Sequence, residues 1–357
     1  MGFRSRLVAG VAGLAGLAVF ATGTAVAQAG PEADTGSERT QEGYTAPRLA
    51  IGQPDPQGAW SNASLTGLER RGGPDKLILS DEEALASAEG NPLVVRQRTD
   101  DGQDESTEFD GSDLERGRGY NAFWLSPGTM YGNVKGTFRT SWIVEPTDGK
   151  VPFSEDGQEL LREARMNARR GSGYDHPEER SLGERCILSF AGNGGPVMLN
   201  SQFYNDNYRI VQSPTHVMIE VEMVHDARII ELFDSAEEAR ASRGPDAIRP
   251  YLGSSVGWWE GDTLVAETTN FHPAQMAAGR VSVTEGGKVI ERFTRYSDDQ
   301  ILYEFEVDDP ALYSQVWKGE ISLNKLTGDG DVYEYACHEG NYGIEGILAG
   351  ARQNDRQ

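Results

Sequence analysis

The amino-acid sequence predicts a mainly β fold: an antiparallel meander forming a lipocalin-like, partly closed barrel, with one long helix and a short C-terminal helix. Three observations predict it. Between residues 208 and 342, short segments rich in β-branched and aromatic residues follow one another across brief turns, whereas parallel neighbours need crossovers of a dozen or more residues. Residues 216–224 alternate, with Val217, Ile219, Val221 and Met223 on one face and His216, Met218, Glu220 and Glu222 on the other, the period of a half-buried strand. Only residues 154–170 carry a long helical pattern, with Leu160, Leu161, Ala164 and Ala168 on one side. A run of eight or more strands curls or closes to remove its edges. The absence of a fixed internal period makes a propeller the second choice.

Taken in order, residues 1–29 read as a secretory signal peptide. Arg4 and Arg6 precede an apolar run at 7–20, and Ala25-Val26-Ala27 and Ala27-Gln28-Ala29 offer small-x-small cleavage sites. No later stretch is apolar enough to span a bilayer. The mature chain is therefore expected to be periplasmic or secreted, with no membrane insertion after cleavage. Residues 30–43 are polar and lack large apolar groups, as in a flexible tether. Residues 44–119 read as an amino-terminal arm that wraps the rest. In it, Ser80-Asp81-Glu82-Glu83 is a capping box opening a short helix, and residues 91–98 read as a strand.

Residues 120–357 form the expected antiparallel β domain. Strands are expected at 134–144, 208–212, 216–224, 228–233, 254–260, 263–269, 288–295, 301–307, 314–323 and 331–337, with a helical insertion at 235–243. Turn chemistry punctuates them at Pro146-Thr147-Asp148-Gly149 and Gly261-Asp262. The basic residues Arg165, Arg169 and Arg170 suit the negative end of the 154–170 helix. Ile344, Ile347, Leu348 and Ala351 fall at the spacing of a final helix.

With 56 acidic and 33 basic side chains the chain carries −23, and about −25 once Arg4 and Arg6 leave. This disfavours nucleic acid and anionic membrane as partners. The two cysteines, Cys186 and Cys337, are expected to form one disulfide in an oxidising compartment. Closing so long a loop stabilises by roughly 4–5 kcal/mol in the chain-entropy model. The five histidines show no metal-ligand spacing, and the acidic runs at 100–105 and 110–115 lack a calcium-loop pattern. No metal and no cofactor are expected. Gly253-Ser254-Ser255-Val256-Gly257 sets its glycines one residue too far apart for a serine-hydrolase elbow.

Glu220, Glu222, Glu267, Glu291, Glu304 and Glu334 sit mid-segment, although Glu is a poor strand former. Such a row points to a polar face with a purpose, turned towards an enclosed, aromatic-rimmed cavity. The expected catalytic groups are His225, Glu222, Asp226, His338 and Glu339: two strand-end histidines with adjacent carboxylates suit acid–base work. Arg228, Trp258, Trp259, Glu267, Glu291, Arg292 and Tyr303 supply the charges and aromatic walls of a ligand pocket. An Arg228–Glu or Arg292–Glu bridge of purely structural value reads the same way in the sequence.

Four pieces carry a resemblance. They are Glu222-Met223-Val224-His225-Asp226-Ala227-Arg228, Trp259-Glu260-Gly261-Asp262-Thr263-Leu264 with Glu267-Thr268-Thr269-Asn270-Phe271, Glu291-Arg292-Phe293-Thr294, and Tyr335-Ala336-Cys337-His338-Glu339-Gly340-Asn341-Tyr342. Together they resemble the landmarks of a family of exported bacterial proteins of unassigned function, over residues 120–352. The resemblance implies a shared fold and site without naming a reaction. From the residues, the first expectation is binding of a small polar or amphipathic ligand. An acid–base lyase or hydrolase acting on a carbohydrate or aromatic substrate, and an envelope interaction protein without catalysis, stay open. The sequence defines no protein partner.

Overall fold

The structure, a computed structural model, describes residues 39–70, 75–101, 125–170, 173–189, 192–327 and 332–356. The leader-like start and most of the expected tether lie outside these residues. In chain order the strands are β1 (Gly58–Ser61), β2 (Ile78–Leu79), β3 (Asn133–Val134), β4 (Thr137–Arg139), β5 (Ile143–Glu145), β6 (Asn207–Gln212), β7 (His216–Val221), β8 (Ala227–Leu232), β9 (Ser254–Glu260), β10 (Thr263–Thr269), β11 (Lys288–Ser297), β12 (Gln300–Asp308) and β13 (Trp317–Lys325). The helices are α1 (Asp81–Glu89), α2 (Pro92–Asp101), α3 (Glu155–Arg170), α4 (Ala236–Ala241), α5 (Ala274–Ala278) and α6 (Tyr342–Asn354).

β6 to β13 neighbour one another in sequence order, and β1 lies between β6 and β13, with Trp60 opposite Tyr208 on one side and Lys325 on the other. The result is a closed nine-stranded barrel. Its closing strand comes from the segment expected only to wrap it, because Trp60 brings an indole that is fully buried. Arg39, from the end of the expected tether, also docks, pairing with Glu304 at 2.5 Å. All barrel pairings are antiparallel except β8 with β9. That exception follows from the one long connection, residues 233–253 carrying α4, which is long enough to return the chain in the same direction. β5 extends one end of β13, and β2 to β4 make a small separate sheet.

The inward row is apolar nearly everywhere. Phe293, Tyr303 and Ile321 sit opposite one another across β11, β12 and β13, as do Arg295, Ile301 and Leu323, and all are buried. Rings fill the middle: Phe293 lies 4.9 Å from Tyr303, and Phe305 meets Trp317 edge-on at 5.6 Å. A Cβ at Gly319 would stand 2.2 Å from the Phe305 ring, so glycine is what lets that ring cross the barrel. The lumen is therefore a packed core, each large side chain contributing about 1.5–3 kcal/mol on burial, and not a hollow. Several carboxylates of the barrel strands point outward to cations from a neighbouring strand, the amino-terminal arm or the small sheet: Glu306 to Arg292, Glu304 to Arg39, and Glu320 to Lys135 and Arg139.

Several elements differ from expectation. Of the expected strand 91–98, residues 92–98 belong to α2, because Asn91, just before it, accepts from the Leu93 N–H (2.9 Å) and Pro92 opens the helix, a start signal that outweighs the paired valines. The stretch 134–144 breaks into short strands. Residues 332–337 form no strand: β1 and β5 already occupy the free edge of β13. The capping box forms as expected, Ser80 accepting from Glu83 N–H and Glu83 from Ser80 N–H. On α3, Leu161 is buried but Leu160 is exposed.

Candidate functional site

The site begins where β7 ends. The inward residues Val217, Ile219 and Val221 are buried as the alternation requires, but the chain leaves the strand after Val221 and turns through Met223–His225. Val224 and His225 both adopt left-handed backbone, with φ of 64° and 53°. For a β-branched residue this is costly, on the order of 1–2 kcal/mol, and such outliers gather where geometry matters. The turn is held by Val221 N–H donating to the Asp226 carbonyl at 2.8 Å and Glu222 N–H to Asn207 at 2.9 Å.

This turn fixes three expected residues in different roles. Glu222, buried, accepts from Asn207 Nδ2 (2.6 Å) and from the backbone N–H of Tyr333 (3.3 Å). His225 Nε2 accepts the backbone N–H of Tyr335 at 2.7 Å. Both side chains therefore strap the C-terminal segment onto the barrel end. The Cys186–Cys337 disulfide, Cα atoms 5.8 Å apart, ties the same segment to the loop before β6. Asn341 Nδ2 adds a 2.7 Å bond to the Glu184 carbonyl. An acceptor Nε2 leaves the neutral His225 ring with its proton on Nδ1.

Asp226 is different. It is 8% exposed, and its Oδ2 accepts the Ser189 N–H at 2.8 Å. Its Oδ1 has no hydrogen-bond partner among the described residues. Burial pushes its carboxyl up to about 6, the Ser189 bond opposing the rise. A glycine run packs over it, and a Cβ at Gly194 would come within 2.7 Å of Oδ2. A small void of about 20 Å³ separates parts of this run from Asp226 and Arg280. On its other side Asp226 opens into a cleft of about 650 Å³. His225, Asp226 and Arg228 line that cleft together with Arg243, Tyr251 and Ser255. Ile229 and Leu252 make part of it apolar.

Beneath the cleft lies an ion pair buried in the lumen. Arg228 and Glu291 pair through both guanidinium nitrogens, NH2 to Oε1 at 2.9 Å, with side chains 2% and 0% exposed. Tyr303 donates to Glu291 Oε1 at 2.8 Å and accepts the Met198 N–H at 3.1 Å. Burial and the nearby Glu291 charge hold the Tyr303 phenol well above its usual range. Burial works against the charge on Arg228, and the Glu291 carboxylate, by its charge and its hydrogen bonds, overcomes it and raises the guanidinium above its ordinary range.

The remaining expected residues lie elsewhere. Trp258 and Glu267 face outward beneath α4: Arg240 lies over the Trp258 ring at 5.2 Å and bonds Glu267 Oε2 at 2.8 Å, and Arg243 bonds Oε1 at 2.5 Å. Trp259 packs against the barrel core. Arg292 pairs with Glu306 on the outer surface. His338 and Glu339 are exposed in the turn after Cys337 and do not line the cleft. The structure thus brings His225, Asp226 and Arg228 to one cleft, with Glu291 and Tyr303 behind Arg228. Ser189, Gly194 and Tyr251 escaped the sequence reading. The Gly192-Asn193-Gly194-Gly195-Pro196 run was their available signal. Among the described residues no group of three His, Cys, Asp or Glu side chains is placed to hold a metal ion, and no helix is long and apolar enough to cross a membrane.

Compared with known proteins, the chain matches no family model, no curated protein and no solved structure.

Proposed function

We propose that the protein binds a small amphipathic molecule, bearing hydroxyl or amino donors, in the cleft at the β7–β8 end of the barrel. One observation carries this reading: Asp226 is buried, accepts a single backbone bond among the described residues, and lines an open cleft of about 650 Å³, within the size range of small-molecule sites. His225 Nδ1–H supplies a donor in the same cleft, and Ile229 and Leu252 receive the apolar part. The packed lumen supports the end cleft over the barrel interior in this reading. The test is a thermal-shift screen of the folded chain with amino alcohols, polyols and aryl glycosides, followed by calorimetry of any that bind. Asp226→Asn is expected to weaken the best ligand about tenfold, the worth of one charge-assisted hydrogen bond. Binding indifferent to Asp226→Asn refutes the reading.

A carboxyl raised to about 6, lining the same cleft as the His225 imidazole, also favours acid–base turnover of the bound molecule, and hydrolysis or elimination of an aryl glycoside would reveal it. Membership of the exported bacterial family and work in the periplasm or outside the cell belong to the same proposal. They are supported by the four sequence landmarks and the leader-like residues 1–29.

A further inference from the structure

A second, larger cavity of about 1050 Å³ lies between α3, the loop at 178–185, α5 and the β12–β13 connection. It shares Tyr251 with the Asp226 cleft, and none of the residues expected to form a site lines it. One part of its wall is aromatic. Phe153 meets Tyr313 at 5.1 Å with the rings tilted by 40°, Tyr313 meets Trp317 edge-on at 5.6 Å, and Tyr251 lies 4.5 Å from the His272 ring. Leu68, Leu182 and Val281 continue the apolar surface.

The other part is ionic, four arginines together with four carboxylates, Glu69, Glu178, Glu179 and Glu184. Arg165, Arg180, Arg185 and Arg280 all line it. Arg180 is engaged by Glu184 at 2.6 Å, and Arg280 donates to the Asn200 carbonyl. Arg165 and Arg185 make no ion pair among the described residues. The carboxylates of the same wall are mostly committed: Glu69 accepts the Val151 N–H, Glu179 the Asp175 N–H, and Glu184 the Ser181 N–H as well as Arg180. Glu178 is exposed. Two guanidinium groups without an ion-pair partner among the described residues, set beside aromatic rings, match an anion with a flat apolar body, since a guanidinium forks onto carboxylate or sulfonate oxygens and rings cover apolar carbon.

We propose that this cavity is a distinct binding site for an amphipathic organic anion, an aromatic or polycyclic carboxylate or sulfonate, with Arg165 and Arg185 meeting the acid group and the half-buried rings of Phe153 and Tyr251, backed by Tyr313 and Trp317, receiving the ring system. The site is independent of the Asp226 cleft and stands if that cleft binds nothing.

The experiment uses the folded full chain and two fluorescent probes of similar ring system. One is 8-anilinonaphthalene-1-sulfonate, an anion, and the other is N-phenyl-1-naphthylamine, its uncharged relative. The sulfonate is expected to saturate a single site. Arg165→Glu with Arg185→Glu should weaken it about tenfold or more, the effect of reversing two nearby charges, while changing the uncharged probe less than about twofold. Ala277→Trp, which fills the cavity wall, should weaken both, and Asp226→Asn should alter neither. The milder Arg165→Gln with Arg185→Gln replaces the reversal if that variant unfolds. Sulfonate binding unchanged by these substitutions, equal losses for both probes in a folded charge variant, or loss on Asp226→Asn alone would each overturn the proposal.

Discussion

Replacing Glu291 by Leu removes one half of an ion pair that no solvent reaches. Arg228 and Glu291 are 2% and 0% exposed, joined through two nitrogens, and Tyr303 spends its hydroxyl proton on the same carboxylate. Without Glu291, Arg228 stays charged in the packed lumen with no anion, and Tyr303 loses its acceptor. Breaking such a pair costs about 3–5 kcal/mol, and stranding the phenol adds about 1 kcal/mol. In a domain of this size that is a fall of roughly 6–12 °C in melting temperature. Arg228→Met combined with Glu291→Leu removes both charges and fills similar volume. Because burying the native pair also carries a desolvation cost, the double variant should recover at least about 2 kcal/mol relative to Glu291→Leu. Urea unfolding followed by tryptophan fluorescence reads both, with midpoints compared at constant slope. A single variant within about 1 kcal/mol of the parent, or a double variant no better than the single, would refute the reasoning. In that event the pair would not be the structural core of the barrel.

Asp226 and Asp206 both have carboxyls raised by burial to about 6 from a reference of 3.8. The native state holds those protons more tightly, so their contribution favours folding below about pH 4 and is lost as pH rises through 6. Asp226→Asn should therefore gain stability over the parent with rising pH, from near zero at pH 4 to as much as about 3 kcal/mol above pH 7. Urea midpoints of the two proteins across that range check it, and a pH-independent difference contradicts it. Val224→Asn places a residue tolerant of left-handed backbone where φ is 64°. It should stabilise by about 0.5–1 kcal/mol after the loss of a half-buried side chain, and a thermal melt showing destabilisation argues against strain in the turn.

The alternation 216–221, the capping box at Ser80 and the helix at α3 were legible because each rests on chemistry within a few residues: side-chain period, a cap, an amphipathic stripe. The pairing of Cys186 with Cys337 followed from there being only two cysteines. The direction of each polar face was not legible. Glu267 and Glu291 look alike in sequence, yet Ala266 lies opposite Glu291 and Glu267 opposite Ile290. One carboxylate therefore enters the lumen and the other meets the arginines of α4 and its flank. A period of two says that neighbours face apart; it does not say which side is covered.

The chain by itself determined the strand-rich class, most strand positions and the turn that carries His225 and Asp226. Only the tertiary structure decided that the lumen is filled by Phe293, Tyr303, Phe305 and Trp317, that Gly58–Ser61 closes the barrel, and that the open spaces lie at its end and flank. The physical reason is range. Local propensity acts over one turn or strand, whereas closure and burial depend on the register between segments more than a hundred residues apart, where a shift of one residue exchanges core for surface.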